Sequence, residues 1–204
     1  DNLTIKFVGF DIFSEVDAKT SENFKFNYKN RVEVVAEITT NHFGNDDRIK
    51  KLMIAAKKAG ANSVKFQMRD VDNFYSKEKL KERYDSPFGS TFREYREALE
   101  LDESQLNLIE KYSEKLDLDY FFSALDLRSY NKLKDKGMKR IKIPSTISNN
   151  KKFISHVLED FKHELVISTG MTEEKYLDFI LNSNSNYTKL YLLHCVSSYP
   201  VNIF

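Results

Sequence analysis

Short apolar strands alternating with amphipathic helices constrain this chain more than any other feature. Strand-like runs occur near residues 33–38, 63–67, 119–123, 140–143, 164–168 and 189–194, and helical patterns lie between most of them. Asp46 or Asp47 can start the first helix, with Ile49, Leu52, Met53 and Ala56 on one face and Gly60 as its stop. Asp102 and Gln105 have capping-box spacing ahead of Leu106, Ile109 and Tyr112. A third helix over about 126–136 ends at Gly137, and Thr172 can cap the fifth, with Glu173 and Glu174 in its first turn.

Such alternation predicts parallel strands joined by right-handed crossovers, either in a (βα) barrel or in an open doubly wound sheet. No Gly-x-Gly-x-x-Gly follows the first strand, which argues against a dinucleotide-binding sheet. Polar residues instead recur at the C-terminal ends of strands: Glu37, Lys65 and Gln67, Ser123, Lys142, Ser168 and His194. In a barrel those ends converge on one mouth, where such folds keep their chemistry. The expected fold class is therefore α/β, a TIM-type barrel over residues 33–204. It is incomplete here, with about six of eight βα units, since eight need about 250 residues. Residues 1–32 read as an N-terminal extension, an arm or a hairpin, from "LTIKFVGF" and "FKFNY". Residues 68–101 are an insertion long enough to act as a lid, although "SPFGST" reads equally well as plain loop.

Composition narrows the partners. With 32 Lys and Arg against 31 Asp and Glu, no global field draws the chain to nucleic acid or to an acidic membrane. No apolar run approaches a membrane span and no secretory signal opens the sequence. The single cysteine, Cys195, excludes an internal disulfide and fits a reducing, cytoplasmic setting.

The stretch "VVAEITTNHFG", residues 34–44, places Glu37 inside an apolar strand, where a carboxylate needs a partner. Lys65 and Gln67 in "SVKFQM" are two apart and point to one side of their strand, and Lys142 in "RIKIPS" has a comparable place on another. Two lysines in one mouth repel unless an anion lies between them. A phosphate is the economical occupant, with hydroxyl donors from Ser123, Ser145, Ser168 and Ser197. The competing reading sends both lysines along sheet edges to solvent. Glu37 then pairs with a lysine, binds substrate hydroxyls or binds a metal; the pattern alone leaves these open. His42 and His194 are either ligands, acid–base groups or hydrogen-bonded structural residues. Adjacent strand residues face opposite sides, so Cys195 beside His194 reads as a small packed side chain, not a nucleophile with its base.

Five segments together, "VVAEITTNHFGN", "AAKKAGANSVKFQ", "IKIPS", "VISTGM" and "LLHCVSSYP", resemble the sialic acid synthase family in order and spacing. That family condenses phosphoenolpyruvate with an N-acetylated amino sugar such as N-acetylmannosamine to give nonulosonic acids, releasing phosphate. The resemblance implies a (βα)8 barrel with Lys65, Gln67, Lys142, Ser145 and Ser168 holding phosphoenolpyruvate. It implies that Glu37 is the carboxylate near the sugar and the reacting carbonyl, and that Ser197 and Tyr199 are sugar- or phosphate-side contacts. It also implies a divalent metal (Mn or Mg) whose ligands are not in this chain, and a homodimer in the full-length protein. Two departures stand out. "SALD" replaces Ser-Thr-Pro-Phe, keeping Ser123 but putting Ala124 where a hydroxyl is usual, and Ile147 stands where a carboxylate is typical. They support an alternative, a non-catalytic homologue keeping a phosphate or sugar pocket as a binding or assembly protein.

Overall fold

The computed structural model describes residues 4–9, 12–17, 33–173, 175–183 and 185–198, of which 4–9 and 12–17 are described as backbone strands only. The chain forms two compact units, one of residues 34–132 and one of residues 1–33 with 133–204. In chain order, β1 (Thr4–Gly9) and β2 (Ile12–Asp17) pair antiparallel.

The unit over 34–132 starts with β3 (Glu33–Thr39), α1 (Asp46–Lys58) and β4 (Ser63–Met68). β3, β4 and the later β7 (Asp119–Ala124) form a parallel sheet with β4 in the centre. All of β4 except Gln67 is buried, as expected of a parallel strand covered on both faces. Register sorts the two faces. Phe66 lies opposite Phe122 and their rings stack at 5.5 Å, while Lys65, Gln67 and Ser123 share the other face. α1 and α5 (Glu103–Leu116) pack against each other, burying Ile49, Met53, Leu106 and Ile109. The Asp102–Gln105 capping box is complete. The first helix is capped by the Asn45 side chain, one residue ahead of the expected aspartates.

The insertion is a packed module, not an open loop. It comprises α2 (Val71–Phe74), α3 (Lys77–Lys81), the hairpin β5 (Arg83–Ser86) and β6 (Gly89–Thr91), and α4 (Phe92–Glu97). "SPFGST" is the turn and second strand of that hairpin, with the Ser86 hydroxyl donating to the Gly89 carbonyl at 3.2 Å. Its centre is aromatic: Tyr75 meets Phe92 edge-on at 5.0 Å and Tyr84 meets Tyr95 at 4.5 Å.

α6 (Leu127–Asp135) follows β7, its first turn held by the Asp126 carboxylate on the Ser129 N–H at 2.8 Å. In the other unit, β8 (Arg140–Ile143), β9 (Glu164–Ser168) and β10 (Lys189–Leu193) run parallel with β9 central. α7 (Lys151–Asp160) is capped by Asn150 and buries Phe153, Ile154, Val157 and Leu158. α8 (Lys175–Asn182) starts three residues after Thr172, whose hydroxyl donates to the Thr169 carbonyl at 2.5 Å. Three parallel strands in each unit, with helices between them, bear out the α/β class. Among the described residues no helix is long and apolar enough to cross a membrane.

Candidate active site

Strand parity and register bring Glu37, Lys65, Gln67 and Ser123 to one face of the β3–β4–β7 sheet. Glu37 stands opposite Lys65, and Gln67 opposite Ser123. Lys65 is 6% exposed. An ammonium so buried costs several kcal/mol unless partnered, and Lys65 has two partners: an ion pair with Glu37 and a hydrogen bond to Ser123 Oγ at 3.2 Å. An ammonium carries three donors, and these contacts use two. Glu37 also accepts the Thr39 N–H at 3.1 Å. That N–H is turned toward the carboxylate because β3 shifts register between Glu37 and Thr39, where Thr39 adopts φ 52°. The carboxylate in the apolar strand therefore meets a lysine from the next strand, with its side chain still 28% exposed.

The turn after β3 is held from below by His42. Its ring is fully buried 6.2 Å from Phe66, and Nδ1 accepts the Gly44 N–H at 3.1 Å. The proton of the neutral ring then sits on Nε2, which is buried with no hydrogen-bond partner among the described residues. Burial lowers the His42 pKa to about 4, against the opposing pull of the Thr39 carbonyl. His42 is thus a structural residue of the turn. His194 lies exposed just past β10.

The other unit carries a second set. Lys142 pairs with Val166 and lies on the same face as Ser168, which is 2% exposed at the end of β9. Ser145 opens a single 3-10 turn after β8, and its Oγ accepts the Gly170 N–H at 3.2 Å. A Cβ on Gly170 would come within 2.5 Å of Ser197 Oγ and 2.7 Å of Ser145 Oγ, so only glycine lets both hydroxyls close in. Sequence reasoning missed Ser148, whose buried hydroxyl lies 2.6 Å from the Ser145 carbonyl and 3.1 Å from the Gly170 carbonyl. Tyr199 lies outside the described residues.

Two further observations bear on the departures noted in the sequence. Ala124 is fully buried and pairs with Met68, so its Cβ points away from the Lys65–Ser123 face. A hydroxyl there would not have reached that site. Ile147 is half-buried within the 3-10 turn. Among the described residues no three of His, Cys, Asp and Glu converge as a metal site requires, and Glu37 is already engaged. The residues described do not fit the divalent metal, and no step is assigned to it.

A cleft of about 280 Å³ opens at the end of β4, lined by Met68, Arg69, Glu100, Leu101, Arg128 and Lys132. Its wall is a compact ion cluster. Glu100 accepts from Arg96 at 3.1 Å and pairs with Arg69 at 2.9 Å, while burial pushes its carboxyl above the usual range against the opposing charge of both arginines.

Residues 52–203 match the NeuB family. The chain is 35% identical over 173 residues to an N-acetylneuraminate-9-phosphate synthase of Drosophila melanogaster, covering 83% of this chain and 46% of that one. It is 35% identical over 178 residues to an N,N'-diacetyllegionaminic acid synthase of Legionella pneumophila, covering 82% and 49%. The chain thus spans about half the length of these relatives. In fold it resembles a sialic acid synthetase from Leptospira borgpetersenii solved in complex with citrate. That match has a TM-score of 0.71 at 22% identity, over 99% of this chain and 63% of that one.

Proposed function

The chain belongs to the NeuB family, the sialic acid synthases, and from that premise we propose that it carries the phosphoenolpyruvate side of a nonulosonic acid synthase. The fold this reading implies is a TIM-type (βα) barrel of which this chain supplies about six units. Lys65 carries the argument: a buried ammonium of β4 held by Glu37 and Ser123, with donor capacity left for an anion. In this reading Lys65, Ser123 and Gln67, with Lys142, Ser145, Ser168 and Ser197 of the second set, hold the phosphate and carboxylate of phosphoenolpyruvate. Glu37, fixed by Lys65 and the Thr39 N–H, orients the hydroxyls of an N-acetylated amino sugar, and Tyr199 is a sugar- or phosphate-side contact. C3 of phosphoenolpyruvate adds to the open-chain aldehyde, water adds at C2, and inorganic phosphate leaves by C–O cleavage. The citrate held by the Leptospira relative is a polycarboxylate, in keeping with an anion site.

The test is a thermal melt of the complete gene product with phosphoenolpyruvate. Ligand at 100 times its Kd stabilises by about 2.7 kcal/mol, which moves the midpoint by several degrees. Lys65→Ala and Lys142→Ala should each abolish the shift. No shift in the unaltered protein removes the proposal. A second reading, a non-catalytic homologue that keeps the pocket, is favoured by Ile147 in place of an acid. Phosphate release from phosphoenolpyruvate and N-acetylmannosamine, with manganese supplied, would exclude it.

A further inference from the structure

Gln67 ends in a planar amide that can present either its oxygen or its NH2 to a ligand. Its surroundings settle the choice. Arg69, two residues on, donates Nη2 to Gln67 Oε1 at 2.8 Å and Nη1 to the Tyr75 hydroxyl at 2.9 Å. Its Nε lies 2.9 Å from Glu100 Oε1, and the other Glu100 oxygen accepts the Arg69 backbone N–H at 3.1 Å. The ring of Phe74 is centred 5.4 Å from the guanidinium carbon. The Arg69 side chain is 9% exposed and that of Glu100 14%. Anchored at Gln67, Tyr75 and Glu100, the planar fork has little freedom to turn. A guanidinium has donors only, so Gln67 must meet it with its oxygen, and the amide NH2 is turned away from Arg69.

We propose that Arg69 is a positioning residue that locks Gln67 as a hydrogen-bond donor, so that the substrate atom Gln67 meets is an acceptor oxygen. The inference rests on the reading of the β4–β7 face as the ligand site. It assigns a role to the ion cluster at the base of the insertion, which strand patterning does not reveal. Arg69 acts through Gln67 and touches no substrate.

The experiment titrates phosphoenolpyruvate, and N-acetylmannosamine in its presence, into the complete gene product and four variants. Gln67→Glu keeps the Arg69 contact and the thermal midpoint but removes the donor; it should weaken one of the two ligands about tenfold or more. Arg69→Lys retains a positive charge for Glu100, so the fold survives, but a single ammonium cannot hold Tyr75 and Gln67 in one plane. It should weaken the same ligand several-fold. In a Gln67→Ala background, adding Arg69→Lys should cause no further loss, because nothing remains to be positioned. A merely structural arginine would instead lower the thermal midpoint and act equally in both backgrounds. Unchanged affinity in Gln67→Glu, or additive losses in the double variant, overturns the inference alone. No titration by the unaltered protein overturns the ligand site and this inference with it.

Discussion

Lys65 shows how one side chain sets the electrostatics of a whole sheet face. Its charge is tolerated because Glu37 and Ser123 reach it from the two neighbouring strands, and the pair in turn keeps Glu37 from being an orphan in an apolar strand. Lys65→Met should therefore destabilise the protein by about 1–3 kcal/mol in urea unfolding, less than for a fully buried pair because Glu37 remains partly solvated. His42 gives a second prediction. Its folded pKa of about 4 lies below the ordinary 6.5, so the folded state binds its proton more weakly than the unfolded state does. The stability this confers is complete above pH 6.5 and is lost as pH falls toward 4, by about 3 kcal/mol in all. His42→Asn should flatten that slope between pH 6.5 and 4 in urea midpoints; an unchanged slope would place the acid sensitivity elsewhere. Parity in "SVKFQM" made the Lys65–Gln67 face legible from sequence. The hold of Arg69 on Gln67 was not, because it depends on a rotamer and on Glu100, which is 31 residues away.

Among the elements, the turn after β3 holds the most conformational strain. Thr39, Phe43 and Gly44 all have positive φ, at 52°, 52° and 64°. A Cβ on Gly44 would also meet the Ala98 carbonyl oxygen at 2.5 Å, a backbone atom that cannot swing aside. Gly44→Ala should cost more than about 2 kcal/mol, whereas Gly60→Ala, at φ 87° with open space around it, should cost only about 1–2 kcal/mol. A pair of thermal melts checks the order. Asp102→Ala removes the α5 capping box and should cost about 1 kcal/mol. Caps and stops of this kind were readable because they are local: Asp102 with Gln105, Gly60 and Gly137 stand where the sequence put them. The insertion was harder. Tyr75 packs on Phe92 and Tyr84 on Tyr95 across different elements, contacts that no single helical or strand period exposes, so "SPFGST" gave no sign that it was a hairpin.

For the molecule taken entire, alternation of strand and helix sufficed for the α/β class, and each expected strand starts where its apolar run starts, within a residue or two. Register supplies what alternation does not. It is register that turns Ala124 away from Ser123, so a substitution that reads as a lost phosphate donor is silent on the Lys65 face. The near-zero net charge makes the confined strand lysines the features an anionic ligand would sense. Phosphoenolpyruvate binding should accordingly persist at moderate salt, since buried charges are screened far less than exposed ones. A Kd that climbs steeply between 50 and 200 mM salt would contradict this.

The insertion leaves β4 at Arg69 and returns at Glu100, and those two residues are clasped by an ion pair and a backbone hydrogen bond. A detour whose two ends are already fastened together behaves as an exchangeable cassette. Sequence between the clasped ends can diversify, lengthen or be transplanted without disturbing the strand beneath. Tyr75, which anchors the guanidinium from inside the detour, Arg96, which donates to Glu100, and Ala98, whose carbonyl abuts Gly44, would have to be kept.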